Sequence, residues 1–181
     1  MPPLLTDLID RARGVPDRWR VPVRSGLRAV SFKHAFWSGL TGLFGILAIH
    51  FVTTWSGQPL LIGSFGASAV LLFGVPDSAL SQPRNLVGGH VLSALVAVAT
   101  VALVGSGPLA IALAVGLSMF VMSLTRTLHP PGGATALIGV QGAAGLGFVV
   151  VPVLAGSLIL LAMALVTNNV VRHRRYPLHW L

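Results

Sequence analysis

A proline–glycine break inside an apolar stretch constrains this chain more than any other feature. His129-Pro130-Pro131-Gly132-Gly133-Ala134-Thr135-Ala136 falls where the surrounding residues would otherwise form an uninterrupted membrane helix. Proline fixes φ and lacks an N–H, and glycine loses the most entropy on ordering, so the pair disfavours helix twice. A shorter echo, Gly66-Ala67-Ser68-Ala69, lies in a similar stretch at an offset of 67, Gly66 to Gly133. Non-helical backbone at membrane depth survives only where protein or a water-filled cavity satisfies it. Two breaks at matching positions point to something bound there.

The chain around these breaks is membrane-like. Of 181 residues, 54% are hydrophobic and 9% charged. Four segments, about 35–55, 86–104, 108–125 and 148–171, approach or exceed the ~18–20 apolar residues that cross a ~30 Å hydrocarbon core. A soluble helical protein would need polar faces on these helices, and they have almost none. With no cysteine, disulfides, thiolate metal sites and thiol catalysis are excluded. The first 30 residues carry arginines rather than a short apolar core, so no cleavable signal peptide is expected. A net charge of +8 would suggest nucleic acid in a soluble protein. Here the basic residues crowd the two ends of a membrane domain, which reads as anchoring beside anionic lipid rather than nucleic-acid binding.

Four parts follow: a basic leader (1–33), two membrane repeats (34–104 and 105–171) and a basic tail (172–181). In the leader, Leu4, Leu5, Leu8 and Ile9 suit a short helix lying along the headgroups. Arginines in leader and tail place both termini in the cytoplasm, which requires an even number of crossings. If the broken segments, about 59–75 and 127–141, also cross, there are six crossings, and Arg84 and Arg126 both face the cytoplasm. With four crossings both face outward, against the inside rule. Six extended residues at ~3.3 Å and nine helical ones at ~1.5 Å reach ~33 Å, enough for a mixed crossing. Pro59, Pro130 and Pro131 would lie in the extended parts, and helix would begin near Gly66 and Gly133. The expected fold is therefore an all-α membrane protein with six membrane-crossing segments in a 3+3 inverted repeat. Its segments 2 and 5 are half extended and half helical, with their helix N-termini meeting near the midplane. Offset 67 also pairs Ser68 with Thr135, Gly89 with Gly156 and Ala97 with Ala164. Inverted repeats around discontinuous helices are a recurrent transporter design.

Paired helix N-termini present unpaired N–H groups and partial positive charge, which suits an anion. The expected anion-binding residues are Ser64, Phe65, Gly66, Ala67, Ser68, His129, Gly132, Gly133, Ala134 and Thr135. Arg84, Asn85, His90 and Arg126 form the expected cytoplasmic mouth. The only acids are Asp7, Asp10, Asp17 and Asp77, in the leader or a loop, which argues against a carboxylate-based cation pathway. Glycine and serine in membrane helices more often mark close packing, the preferred reading for Gly88, Gly89, Ser93, Gly156 and Ser157. For His50 and His90 a structural hydrogen bond is preferred over a relay. No zinc-like spacing, carboxylate pair or nucleophile–base set is present, so neither an enzyme, a metal nor a cofactor is expected.

At these residues the chain resembles the HPP family of integral membrane proteins. The resemblance rests on Gly63-Ser64-Phe65-Gly66-Ala67-Ser68-Ala69, Gln82-Pro83-Arg84-Asn85, Gly88-Gly89-His90, the His129–Ala136 stretch, Asn168-Asn169 and Tyr176-Pro177-Leu178-His179-Trp180. It implies a transporter-like protein, and some cyanobacterial and plastid members are associated with nitrite transport. The family is commonly described with four membrane helices, against the six favoured by charge. The expectation is a homo-oligomeric transporter or channel for a small inorganic anion, nitrite first, in a bacterial cytoplasmic (inner) membrane. The rival reading is a non-transporting scaffold or sensor subunit.

Overall fold

The computed structural model describes residues 31–58, 62–171 and 174–180. Residues 1–30 of the leader, with the expected interfacial helix, and Pro59 lie outside the described residues. Within them the chain forms six longer helices, one 3-10 turn (Ala79–Ser81) and no strand: α1 (Phe32–Ser56), α2 (Ser64–Gly74), α3 (Pro83–Val104), α4 (Pro108–Leu124), α5 (Pro130–Gln141) and α6 (Val149–Val170). α1, α3 and α6 are long and apolar enough to cross a membrane. α2, α4 and α5 are shorter. Gly57 closes α1 in the left-handed region at φ 68°, a conformation glycine adopts without a Cβ clash.

Three prolines start helices here rather than ending them, whereas Pro152 lies inside α6 beside the extended Val151. Pro83, Pro108 and Pro130 each occupy the first helical position, where the missing N–H has no partner to lose and φ is already set. This corrects the expectation that Pro130 and Pro131 are extended and that α5 begins near Gly133. Only the approach is extended, with His129 at φ −138° and ψ 103°, as expected of a residue before proline. The early start has a consequence. The N-termini of α2 and α5 do not meet tip to tip but run past each other, Ser64 beside Thr135 and Ser68 beside His129.

The two sequence halves exchange their third helices. α3 packs chiefly on α4 and α5, whereas α1 packs on α6 and α2. One core cluster joins Ile49, Phe65, Leu72, Phe73, Leu86 and Leu160. The other is built from Ala97, Ala110, Ala114, Ala136 and Val140, whose short side chains let helices approach closely. Residues paired by the offset of 67 share burial: Ser68 and Thr135 are inaccessible, as are Ala97 and Ala164.

The bundle is apolar outside and polar within. Phe32, Phe51, Trp55, Leu103, Val166 and Val170 point outward, while Ser64, Ser68, His90, Ser93, Ser118, His129, Thr135 and Asn168 are buried. All six helices alternate in direction. The starts of α1, α3 and α5 and the ends of α2, α4 and α6 gather at one end, tied by Arg174 to Phe73 and His34, Arg84 to Thr125, and His129 to Leu80. The described cations Lys33, Arg84, Arg126, Arg174 and Arg175 all lie in the chain at this end, and residues 57–58, 105–107 and 142–148 at the other carry no charge.

Candidate functional site

Where α2, α3 and α5 meet, five buried side chains form a continuous hydrogen-bonded chain. Thr135 Oγ1 lies 2.9 Å from Ser64 Oγ and 2.7 Å from His90 Nδ1. The other nitrogen of that ring, Nε2, lies 2.7 Å from Ser68 Oγ. Ser68 Oγ is in turn 2.9 Å from His129 Nε2, and His129 Nδ1 is 2.8 Å from the Leu80 carbonyl. Helical periodicity explains the convergence, since Ser64 and Ser68 are one turn apart on one face of α2. Phe65 closes the side, its ring edge-on to His90 at 5.2 Å between centroids. All five side chains and Phe65 are at most 1% exposed, so each polar atom depends on the others for its partner.

The turn that carries His129 is held from α3. Arg84 Nη2 donates to the Thr125 carbonyl at 2.6 Å and Asn85 Nδ2 to Leu128 O at 2.8 Å. α4 itself ends in a Schellman motif: Thr127 N–H donates to Met122 O and Arg126 N–H to Ser123 O. Arg126 takes the left-handed position at φ 56°. Gly88 and Gly89 let this turn cross α3 closely. A Cβ on Gly89 would stand 2.5 Å from His129 Cβ and 2.9 Å from Thr127 O. Close packing is therefore what these two glycines do.

Not every expected site residue faces this junction. Ser64, Phe65, Ser68, His129, Gly132 and Thr135 do. Gly66 and Ala67 are exposed on the opposite side of α2, and Gly133 and Ala134 line an apolar groove with Val115, Met119 and Leu128. The two expected walls touch directly, because α5 starts early enough to bring Thr135 against Ser64. Gly132 serves contact: its Cβ would meet Ser93 Oγ at 2.8 Å and Gly89 O at 2.9 Å. Of the expected mouth, Arg84, Asn85 and Arg126 line one polar cavity of about 150 Å³ with Ala79, Gln82 and His179. His90 is not part of it. It lies two helical turns beyond Pro83, about 10 Å further into the bundle, and belongs to the buried chain.

The basic tail was expected to hold its end of the chain in the cytoplasm, and the structure also gives it specific bonds. Arg174 is 8% exposed and donates to Phe73 O at 3.0 Å, Asn168 Oδ1 at 3.2 Å, Ser38 Oγ at 2.8 Å and His34 O at 3.3 Å. With Asn168 Nδ2 on Leu72 O and His34 Nε2 on Gly74 O, it caps the last carbonyls of α2. Burial pulls its guanidinium pKa below the ordinary value, and the charge of Asp77 opposes this. Tyr176, its phenol pushed up by burial, donates to Ser81 O at 2.8 Å. Leu178 N–H donates to Gln82 Oε1, and Gln82 Nε2 to Pro76 O and Ser78 O. The tail thus fixes the loop whose Leu80 carbonyl holds His129. Nothing in the Arg-His-Arg-Arg run signals that one of its arginines is buried.

An all-helical chain with an apolar exterior and its polar groups turned inward and paired is an integral membrane protein. Residues 27–177 match the family described as HPP, transmembrane region, and the chain belongs to that family. Two proteins of Dictyostelium discoideum, each described as a transmembrane protein, are similar. One is 52% identical over 156 residues, covering 80% of this chain and 55% of its own length. The other is 45% identical over 175 residues, covering 90% and 56%. The chain therefore spans little more than half of each relative. No solved structure matches it.

Proposed function

We propose that this protein passes a small inorganic anion across a bacterial cytoplasmic membrane, with nitrite as the substrate suggested by the family resemblance. The proposed topology is a six-crossing 3+3 inverted repeat with both termini cytoplasmic, assembled as a homo-oligomer. The alternating helix directions and the collection of described cations at one end support it, since that end then obeys the inside rule throughout. The observation that carries the anion reading is the cavity of Arg84, Asn85 and Arg126 beside the buried hydroxyl–imidazole chain. Two guanidiniums face it, and Asp77 is the only acid among the described residues. Ala79 lines the cavity and Leu80 receives His129, so the anion-facing and buried polar groups are one residue apart. Uptake of labelled nitrite into proteoliposomes tests the substrate. Protein-dependent flux of other small solutes with none of nitrite overturns it.

Arg126 allows a test that separates charge from fold. Its left-handed position is one that glycine occupies without strain, so Arg126→Gly should preserve the helix end while removing the charge. A cation acting over roughly 8 Å at an effective dielectric of ~20 contributes about 2 kcal/mol, less where solvent screens it. At 1.4 kcal/mol per decade, uptake at low anion concentration should fall roughly tenfold with the melting temperature unchanged. Unchanged uptake would remove Arg126 from the pathway.

A further inference from the structure

We infer that Ser64, Thr135, His90, Ser68 and His129 form a proton relay that loads His129, whose Nδ1 bonds the carbonyl next to Ala79 of the anion cavity, and couples proton to anion movement. The coupling rests on the anion reading above; the relay stands on geometry alone.

Its direction follows from the Leu80 end. A carbonyl only accepts, so His129 Nδ1 carries a proton. In the neutral ring Nε2 is then a bare acceptor, and the group facing it is the Ser68 hydroxyl, which must donate. With its one proton so used, Ser68 accepts from His90 Nε2–H. His90 Nδ1 is therefore an acceptor, satisfied by the Thr135 hydroxyl. In the structure the Thr135 hydroxyl points to Ser64 Oγ at 2.9 Å; with its proton turned to His90 Nδ1 instead, its oxygen accepts from Ser64. One fixed carbonyl thus sets the tautomers of two histidines and the rotors of three hydroxyls.

A proton reaching the buried Ser64 Oγ, one residue along the chain from the exposed Gly63, reverses every link. Ser64 passes its original proton to Thr135, and Thr135 passes its own to His90 Nδ1. His90 releases its Nε2 proton to Ser68, and the Ser68 proton moves to His129 Nε2. Five O–H or N–H bonds form and four break, and the one added proton ends as imidazolium at His129. Thr135 now donates to Ser64, the opposite polarity. Leu80 O cannot pass a proton on, so the proton waits on His129 and leaves it only as the anion moves. Two longer bonds compete with the relay: Ser68 to Ser64 O at 3.2 Å and Thr135 to Pro131 O at 3.3 Å. A hydroxyl turned to either carbonyl opens the circuit.

The surroundings make an anion the natural counter-charge. Among the described residues, the one titratable group packed on His129 is His90, with ring centroids 4.9 Å apart. α2, α4, α5 and α6 carry no titratable residue, and α3 adds only Arg84, at its cavity end. Arg126 is also at the cavity, Tyr176 bonds Ser81 O, and Asp77 lies three residues before Leu80. No carboxylate in these helices balances an imidazolium, and a buried unpaired charge is costly.

Nitrogen-15 NMR of histidine-labelled full-length protein in liposomes tests the relay directly. At neutral pH His129 should be the Nδ1–H tautomer and His90 the Nε2–H tautomer. On acidification His129 should gain its second proton in the same step in which His90 switches to Nδ1–H. Ser68→Ala should abolish both changes, and a His129 that still gains its second proton in this variant would overturn the relay as its route. An Nε2–H tautomer at His129, or wild-type rings that titrate independently, overturns the relay. A second measurement uses pyranine-loaded proteoliposomes under a valinomycin-imposed potassium potential, with nitrite present and empty vesicles subtracting nitrous acid leak. Protein-dependent proton movement should fall at least tenfold in Ser68→Ala. Nitrite flux without protein-dependent proton movement overturns the coupling and spares transport. A coupled tautomer switch without nitrite flux sustains the relay and sinks the substrate.

Discussion

Gly89→Ala and Gly132→Ala should each lower the apparent melting temperature in detergent by roughly 6–12 °C, whereas Gly133→Ala should lower it not at all. An alanine Cβ at Gly89 meets His129 Cβ at 2.5 Å and the Thr127 carbonyl at 2.9 Å. That turn cannot yield, because Arg84, Asn85 and the His129–Leu80 bond hold it at three points. At Gly132 the neighbours are Ser93 Oγ, Gly89 O and Met122 Sδ, all within 3.0 Å. Overpacking of this kind costs ~1–3 kcal/mol, and backbone neighbours put these sites at about 3. For a domain of this size each kcal/mol moves the midpoint by roughly 2–4 °C. Gly133 has no neighbour nearer than Val115 at 4.0 Å, and alanine gains ~1 kcal/mol in helix propensity there. Equal losses at Gly132 and Gly133 would mean that the stretch resists substitution because of its backbone conformation rather than its contacts.

That contrast shows what the residues alone make legible. The long apolar runs located α1, α3, α4 and α6 to within a few residues, because a membrane segment announces itself by length and hydropathy. The prolines were misread for a physical reason: the same residue breaks a helix interior and starts a helix at its first turn, and only the neighbouring geometry says which. Of the ten expected ligand residues, those facing the junction and those facing outward alternate along α2 and α5 with helical period. A linear motif conceals that division. His90 was placed at the wrong depth because its helix begins at Pro83, so the ring sits two turns further in. The exchange of α3 and α6 between halves left no mark in the sequence at all, since it depends on long-range packing. With the exchange, Gly89 and His90 from the first half enclose His129 from the second. The buried chain is therefore shared between the halves rather than owned by either.

Arg174→Met should destabilise the protein by about 3 kcal/mol, whereas Arg175→Met, one residue further on and exposed, should have no measurable effect. Arg174 is the donor to Phe73 O and shares Asn168, Ser38 and His34 among its acceptors. Methionine fills similar volume but donates nothing. An acceptor left unpaired in a buried site costs ~1–3 kcal/mol, and a cation at a helix C-terminus contributes up to ~2. Relief of the buried guanidinium's desolvation returns part of that total. Arg174→Lys should recover less than half, since a single ammonium cannot reach acceptors fanned on three sides as the planar fork does. Thermal melts of the three variants in detergent check the ordering. The loss should also travel, because the same tail fixes the 75–82 loop through Tyr176 on Ser81 O and Leu178 on Gln82. Histidine NMR of Arg174→Met should therefore show a weakened His129 Nδ1–H bond to Leu80, although Arg174 touches neither residue. If Arg174 and Arg175 proved interchangeable, the tail would act only through its net charge at the membrane surface, and the clamp on the relay would have no energetic basis.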